Sequence, residues 1–324
     1  MQQKNDKKII RSWAFFDWAN SAYNLVITST IFPAYYTIIT SDDNNSTIDY
    51  VTFLGRKFVN SALYSYAMAF AFLIIALISP ILSSIADTRG NKKVFMKFFA
   101  YMGALASCGL YFFKLETLEL GIVLFVLAAI GFWGSLVFYN SYLPEIATRD
   151  QQDRVSAKGF TYGYIGSIIL QLICFVFVFK PDWFGITDSS IPARLSFLMV
   201  GVWWMVFAQI PFKNLPKGSP NFKAEKSNIM TSGFKELQKV WGQLKQMIYL
   251  KWFLFSFFFY SMAVQTVMLV ATIFAEKELN LSTSKLIATI LILQIVAIPG
   301  AILMSYLSSK KYGNVNVLIG VVII

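Results

Sequence analysis

The sequence predicts an all-α fold, a polytopic bundle of transmembrane helices, from three observations. Hydrophobic residues make up 56% of the 324 residues and charged residues only 14%, whereas about a quarter of the residues in soluble domains are charged. The mean hydropathy is +0.58. Several apolar runs also reach the ~20 residues that a helix needs to cross the hydrocarbon core of a bilayer. The lipid bilayer is therefore the first predicted partner of the chain.

Apolar runs between charged or Pro/Gly-rich breaks predict eight spans, in a group of six and a group of two. A polar stretch separates the groups. We therefore predict an N-terminal six-helix bundle (1–212), a cytoplasmic linker (213–249) and the start of a C-terminal bundle (250–324). Spans 1 to 8 are predicted at 14–39, 60–86, 94–113, 119–141, 157–179, 195–212, 250–275 and 284–308.

A ninth apolar run, VNVLIGVVII at 315–324, is too short to cross a bilayer. From this run we expect a truncated gene product or a fragment, in which the second half of a two-half protein is incomplete. The predicted C-terminal bundle then contains helices 7 and 8 and part of helix 9.

The charge distribution predicts the orientation of the chain. Lysine and arginine exceed the acidic residues by 11, and 21 of the 28 cations lie in segments that face the cytoplasm if the N-terminus does. Positive charge favours the inner side, so we predict a cytoplasmic N-terminus, in a bacterial cytoplasmic membrane or, as the alternative, an organellar one. Because topology explains the basic charge, no nucleic acid is predicted as a partner.

The residues that usually carry catalysis or bind metals are scarce in this sequence. There is no histidine, and the two cysteines, Cys108 and Cys174, each lie inside a predicted span. A disulfide scaffold, a metal site, a cofactor and a catalytic set are therefore not predicted. We expect a protein that is not an enzyme.

Span 1 carries polar residues where an apolar helix would be expected. On a helix with about 3.6 residues per turn, Asp17, Asn20 and Asn24 fall on one stripe together with Trp13, Thr28 and Ile31. Such a stripe cannot face lipid without a large energetic cost. Two interpretations remain open at this point. The stripe lines a substrate path, or its polar groups bind span 1 to neighbouring helices through hydrogen bonds.

Span 7 contains Gln265 and Thr266 at mid-membrane depth. Uncharged polar side chains at this depth suit the binding of a polar or zwitterionic solute. Hydrogen bonding between helices is the competing interpretation, and the sequence favours neither.

A charge cluster is predicted at the inner end of spans 2 and 4. The segment SSIADTRGNKKVF contributes Asp87, Arg89, Gly90 and Lys92, and Glu145 follows span 4. Such charges can separate and pair again as helices slide, so we predict a cytoplasmic gate. The alternative interpretations are that the segment after span 2 is an ordinary basic loop and that Glu145 is simply solvated.

Two further patterns predict helix packing. Gly159, Gly163 and Ser167 place small residues on one face of span 5, where a neighbouring backbone can approach closely. Within the linker, apolar residues at spacings of three and four predict an amphipathic helix on the inner membrane surface or between the two halves; they are Phe234, Leu237, Trp241, Leu244 and Ile248.

Five motifs together resemble one family. They are DWANSAY in span 1, ADxxG after span 2, FYNSYLPE at the end of span 4, VSAKGFxxGYxG in span 5 and YxxxVQT in span 7. These motifs are similar to those of the vacuolar amino-acid effluxer family related to autophagy, within the major facilitator superfamily. The similarity extends from Trp13 to about Gly313. The family has an aspartate in span 7 where Met262 stands here, which argues against cation coupling through that position.

The resemblance implies a secondary transporter of two six-helix halves that works by alternating access, with a central cavity lined by helices 1, 4, 7 and 10. It also implies export of amino acids or similar small solutes. If a proton is coupled to transport, Asp17 is the leading acid, since Asp87 and Glu145 lie at helix ends. The alternatives are a non-transporting receptor or scaffold that acts through the linker helix, and an inactive truncated transporter.

Overall fold

The structure is a computed structural model, and it describes residues 4–41, 49–217, 238–239, 241–244, 246–277, 283–308, 316 and 319–320. Within these ranges, the side chains at 85, 87–89, 268–273, 275–277, 283–284 and 286–288 are not described. Most of the predicted linker helix, including Phe234 and Leu237, lies outside the described residues. Of its other members, Trp241 and Ile248 are exposed.

The predicted all-α class is confirmed, and spans 2 to 8 each lie on a long helix. Seven helices among the described residues are long and apolar enough to cross a membrane. The chain is therefore an integral, multi-pass membrane protein. The helices are Asn60–Arg89, Lys92–Gly109, Leu118–Ser141, Gln152–Phe179, Ile191–Asn214, Ile248–Lys277 and Thr283–Tyr306. A short helix, Leu143–Ile146, follows span 4.

Span 1, unlike the other spans, is not a single α-helix. It is helical from Lys7 to Thr40, but an α-helix (Lys7–Ala22) passes into a π-helix (Tyr23–Ile31) and then into a second α-helix (Phe32–Thr40). Its α-helical parts are 16 and 9 residues long, so neither is among the seven long helices. Asp6 begins the span as an N-cap, because its carboxylate accepts hydrogen bonds from the backbone N–H groups of Lys8 and Ile9.

The π-helix has a local cause in the sequence. Pro33 has no N–H to donate to the carbonyl four residues earlier, which weakens the α-helical pattern just upstream. The hydroxyl of Ser29 instead donates to the carbonyl of Asn24, and that of Thr30 to the carbonyl of Leu25, both five residues back. The wider turn changes which side chains share a face beyond residue 23, so a stripe calculated for an ideal α-helix does not hold there.

A β-hairpin between spans 1 and 2 was not predicted. Strand β1 (Tyr50–Phe53) pairs antiparallel with strand β2 (Arg56–Val59) through a two-residue turn. Both turn residues, Leu54 and Gly55, have positive φ angles of 49° and 74°, which matches the turn geometry preferred in hairpins. The unusual conformation of Leu54 is supported because its N–H donates to Glu119 Oε1 at 2.9 Å.

The core is built around span 1. Span 1 packs against spans 5 and 6, and spans 3 and 4 pack on each other. Span 6 also packs against span 3. Phe32 stacks on Phe125 of span 4 with ring centroids 4.3 Å apart. Spans 3 and 4 approach closely where Gly103 faces Gly131. The buried ring of Trp204 from span 6 packs against Gly103 at the same point.

Spans 7 and 8 contact the first group of helices through span 8, which packs on span 5. Large apolar side chains of span 7 are exposed, including Trp252 at 65%. Such a surface is stable in lipid or against further protein. The predicted domain boundaries at 212 and 249 stay a prediction.

Gly103 gives a test of this packing. A Cβ atom added there would lie 2.6 Å from Cη2 of the buried Trp204 ring. We expect Gly103→Ala to lower the free energy of unfolding by about 1–3 kcal/mol, because the core cannot absorb the added methyl group without a shift. Thermal unfolding in detergent measures the effect.

Gly300→Ala is the matched control, since nothing lies within 4 Å of a Cβ at that helical position. It should leave stability unchanged or raise it slightly, as alanine favours a helix over glycine. Equal effects of the two substitutions would contradict the described packing of spans 3, 4 and 6.

Candidate functional site

A cavity of about 310 Å³ lies between spans 1, 4 and 5 on one side and spans 7 and 8 on the other. We call it the central cavity. Its volume is at the lower end of the range of about 300–1,000 Å³ found for small-molecule sites. Aromatic and aliphatic residues form part of the wall. The polar lining residues are Asp17, Ser21, Asn24, Tyr139, Asn140, Ser156, Tyr164, Ser167, Gln265 and Gln294.

Asp17 is the acid of the central cavity, and its side chain is nearly buried, with 8% exposed. The hydroxyl of Tyr139 donates to Asp17 Oδ2 at 2.8 Å. Among the described side chains, no lysine or arginine lies within ion-pairing distance of this carboxylate. Burying an unpaired carboxylate is costly, so Asp17 is a place where a proton or a cationic group of a ligand would be stabilised.

The position of Tyr139 is fixed by Trp13. The two rings stack with centroids 4.3 Å apart and planes within 10°, and Trp13 Nε1 donates to the backbone carbonyl of Tyr139 at 3.0 Å. The polar edge of Tyr139 is thereby held against Asp17. Tyrosine and tryptophan rings contribute both packing and one directed hydrogen bond, which explains why these aromatic residues lie beside a carboxylate.

Span 5 approaches Asp17 along its small-residue face. A Cβ atom at Gly159 would lie 2.8 Å from Tyr139 Oη and 2.9 Å from Asp17 Oδ2, and one at Gly163 would lie 2.6 Å from Ser21 Oγ. Any larger residue would displace the groups that surround the carboxylate. Ser167 continues this face into the lining of the central cavity.

Asn20 does not line the central cavity, in contrast to the expected stripe. It is fully buried, and neither of its amide atoms has a hydrogen-bond partner within the described part of the chain. The face of span 1 that meets the cavity contains Asp17, Ser21 and Asn24 instead. Asp17 and Asn24 of the predicted stripe therefore line the cavity, while Asn20 lies in the core of the bundle.

Of the two predicted site residues in span 7, one lines the central cavity and the other does not. Gln265 lines the central cavity, opposite span 1, and Gln294 of span 8 lies beside it in the lining. Thr266 is exposed and is not part of the lining. Adjacent residues on a helix point in different directions, so one of the two had to face away.

Several lining residues were not among the predicted site residues. Tyr139 and Tyr164 escaped notice because tyrosine is common in apolar spans, and Ser21 because it is small. A signal for Ser21 was available, since it lies four residues after Asp17 and therefore shares its helix face. The remaining unpredicted polar residues are Asn140 and Ser156, whereas Gln294 carries the same signal as Gln265, an uncharged amide deep in a span.

At the charge cluster, the structure pairs Lys92 with Glu145, with Nζ and Oε1 2.5 Å apart. Glu145 is 39% exposed and Lys92 13%. Gly90 ends span 2 with φ at 66°, a conformation that glycine adopts without strain. The side chains of Asp87 and Arg89 lie outside the described ones. The ion pair connects the start of span 3 to the short helix after span 4, and neither member lines the central cavity.

The described lining offers one acidic side chain, Asp17. Three or more acidic or imidazole ligands are usual for a metal ion that the protein itself holds. A membrane-spanning helix bundle around a small, mainly neutral polar cavity is typical of a solute transporter.

Comparison with known proteins agrees with this class. The family described as Vacuole effluxer Atg22 like matches residues 5–324. An uncharacterized MFS-type transporter of Bacillus subtilis, YxiO, is 31% identical over 313 residues, covering 96% of this chain and 70% of the relative. Autophagy-related protein 22 of Kluyveromyces lactis is 25% identical over 346 residues, covering 94% and 68%. Autophagy-related protein 22-1 of Phaeosphaeria nodorum is 25% identical, and the chain spans half its length.

The chain therefore belongs to the Atg22-like vacuole effluxer family, and it is a transporter of the major facilitator type. The resemblance inferred from the five motifs is confirmed.

The hydrogen bond between Tyr139 and Asp17 can be tested by Tyr139→Phe. This change keeps the ring stacked on Trp13 and removes only the hydroxyl donor. We expect the free energy of unfolding to fall by about 1–3 kcal/mol, because the buried carboxylate loses its partner. Thermal unfolding in detergent is the measurement.

Tyr162→Phe serves as the matched control. The ring of Tyr162 contacts Phe15 and Lys158, and both contacts survive the loss of the hydroxyl. Its effect on stability should be close to zero. A Tyr139→Phe protein as stable as this control would rule out a stabilising contact with Asp17.

Proposed function

We propose that this protein moves a small polar solute, an amino acid, across the membrane by alternating access. The observation that carries the proposal is the central cavity, in which one buried carboxylate is surrounded by neutral hydrogen-bonding groups. Its volume of about 310 Å³ suits a solute of amino-acid size.

An amino acid matches this lining group by group. Its ammonium would pair with Asp17, which has no cation beside it among the described side chains. Its carboxylate would accept hydrogen bonds from the amide groups of Asn24, Gln265 and Gln294, all of which line the cavity. Charge-assisted hydrogen bonds of this kind are stronger than neutral ones. A second anionic group on the solute would be repelled by Asp17.

The arrangement of the helices supports alternating access. Spans 1, 4 and 5 belong to the proposed N-terminal bundle, and spans 7 and 8 to the proposed C-terminal one, so the solute would bind between the two. The proposed gate is the charge cluster of Asp87, Arg89, Gly90, Lys92 and Glu145, in which the pair between Lys92 and Glu145 is in contact.

Direction, orientation and coupling are part of the same proposal. The family description as an effluxer supports export. The excess of cations at the N-terminal end of the bundle supports a cytoplasmic N-terminus, and a bacterial cytoplasmic membrane is the proposed location. Asp17 is the proposed site of a coupled proton, because protonation removes the cost of its buried charge when no ammonium is bound.

Transport in proteoliposomes tests the proposal directly. Vesicles that contain the protein should exchange a labelled amino acid from a mixed panel saturably. Asp17→Asn should lower the flux at least tenfold, since a charge-assisted contact worth about 1.5–3 kcal/mol is lost. The pH dependence of the remaining flux should also be weaker.

The control is Glu116→Gln, which makes the same acid-to-amide change at an exposed residue between spans 3 and 4. It should transport like the unchanged protein. Full, pH-dependent flux in Asp17→Asn would remove Asp17 from the mechanism. Absence of flux for every panel member in the unchanged protein would favour a receptor or scaffold.

A further inference from the structure

A second and larger cavity, of about 740 Å³, lies at the end of the bundle that carries the N-terminus. We call it the basic cavity. Its walls are the first turns of span 1, the first turns of span 5 and the last turns of span 8. It shares no lining residue with the central cavity, so the proposed solute site does not account for it.

Four cationic side chains line the basic cavity. Lys7 and Arg11 lie one turn apart on span 1, and Arg154 and Lys158 lie one turn apart on span 5. Each helix therefore presents two positive charges on the face that meets the other helix. Lys7, Arg11 and Arg154 are exposed and Lys158 is half-buried. Water therefore screens part of the repulsion among these charges, and an anion between the two helices would remove more of it.

No described acidic side chain lines the basic cavity. The nearest ones in sequence are Asp6, Asp150 and Asp153, and Asp150 accepts a hydrogen bond from the lining residue Gln151. Asp6 accepts hydrogen bonds from backbone N–H groups at the start of span 1, and Asp153 accepts one from the Ser308 hydroxyl. Within the described part of the chain, none of the four cations forms an ion pair. Among the described side chains, no acid compensates these four charges.

The other lining residues suit an anion that carries an organic group. The amides of Asn5 and Gln151 are hydrogen-bonded to Thr148 and Asp150, while Ile10 and Ile302 provide apolar surface beside the cations. The start of span 5 also lies here, and its dipole favours negative charge, whereas the start of span 1 is already capped by the Asp6 carboxylate. Arginine forms two parallel hydrogen bonds to a phosphate or a carboxylate alike. The tetrahedral oxygens of a phosphate, however, point in several directions and can meet cations from both helices at once.

We propose that the basic cavity binds a phosphate-bearing anion between spans 1, 5 and 8. The two sources of this chemistry are the headgroup of an anionic membrane lipid and a soluble phosphate ester. Because the walls include helices from both proposed halves, the bound anion holds span 8 against spans 1 and 5. Binding here can be measured without measuring solute transport.

The test measures lipid binding to the full chain in detergent by native mass spectrometry. Phosphatidylglycerol is the anionic probe, phosphatidylcholine the probe of zero net charge, and glycerol phosphate the soluble one. Phosphatidylglycerol should bind more tightly than phosphatidylcholine. The double substitution Arg11→Gln with Lys158→Gln should weaken this binding roughly thirtyfold, as two cations near an anionic group are removed.

The matched control is Lys8→Gln with Lys213→Gln. It removes the same charge from exposed residues that do not line the basic cavity, and it should change binding less than threefold. Arg11→Lys with Arg154→Lys keeps the charge but removes the paired arginine hydrogen bonds, so its binding should lie between that of the unchanged protein and that of the double glutamine variant. This variant also shows whether any loss comes from misfolding, since its side chains are of similar length.

The outcomes separate the sources and can overturn the proposal. Tight phosphatidylglycerol binding that glycerol phosphate does not displace assigns the cavity to a lipid headgroup. Displacement at equal concentration assigns it to a soluble phosphate ester. If neither probe binds better than phosphatidylcholine, or if the control loses as much binding as the Arg11 and Lys158 substitutions, the proposal is wrong.

Discussion

The close approach of spans 1 and 5 is the constraint on which the rest of the structure depends. Gly159 and Gly163 leave room for the Asp17 carboxylate, the Tyr139 hydroxyl and the Ser21 hydroxyl to lie against the backbone of span 5. Without that room, the acid could not be both buried and hydrogen-bonded. Span 8 also packs on span 5 and lines both cavities together with spans 1 and 5.

Two cavities of opposite character follow from this one helix pair. Toward the middle of the pair, the facing residues are an acid and neutral polar groups, and the resulting cavity is small. Toward the N-terminal end, the same two helices carry four cations, and the cavity is more than twice as large. Residues of span 8 line both the central cavity and the basic cavity. A displacement of span 8 relative to span 5 would therefore change both cavities together, which links what binds in one to the shape of the other.

Composition and hydropathy were sufficient to predict the class of fold and seven of the spans, because a bilayer requires long apolar helices. The hairpin was missed since a short alternating pattern is weak beside eight long apolar runs. Asp17, Asn24 and Gln265 were predicted in the lining because charge and amide groups are rare in lipid-facing positions. The structure places Asn20 and Thr266 outside the lining, because sequence spacing gives relative angles on a helix but does not give its absolute rotation, which packing against neighbouring helices decides.

The π-helical segment of span 1 has a consequence for how the family is compared and how it varies. A π-helix holds more residues per turn than an α-helix, so Tyr23–Ile31 stores surplus chain within a continuous span. Loss of one residue there would convert a wide turn into an ordinary one and leave both ends of the span helical. Relatives can therefore differ in length inside this segment while the Asp17 end stays unchanged. For a relative that lacks one residue in this segment, an alignment that forbids gaps within membrane helices would shift every residue from Phe32 onward out of register.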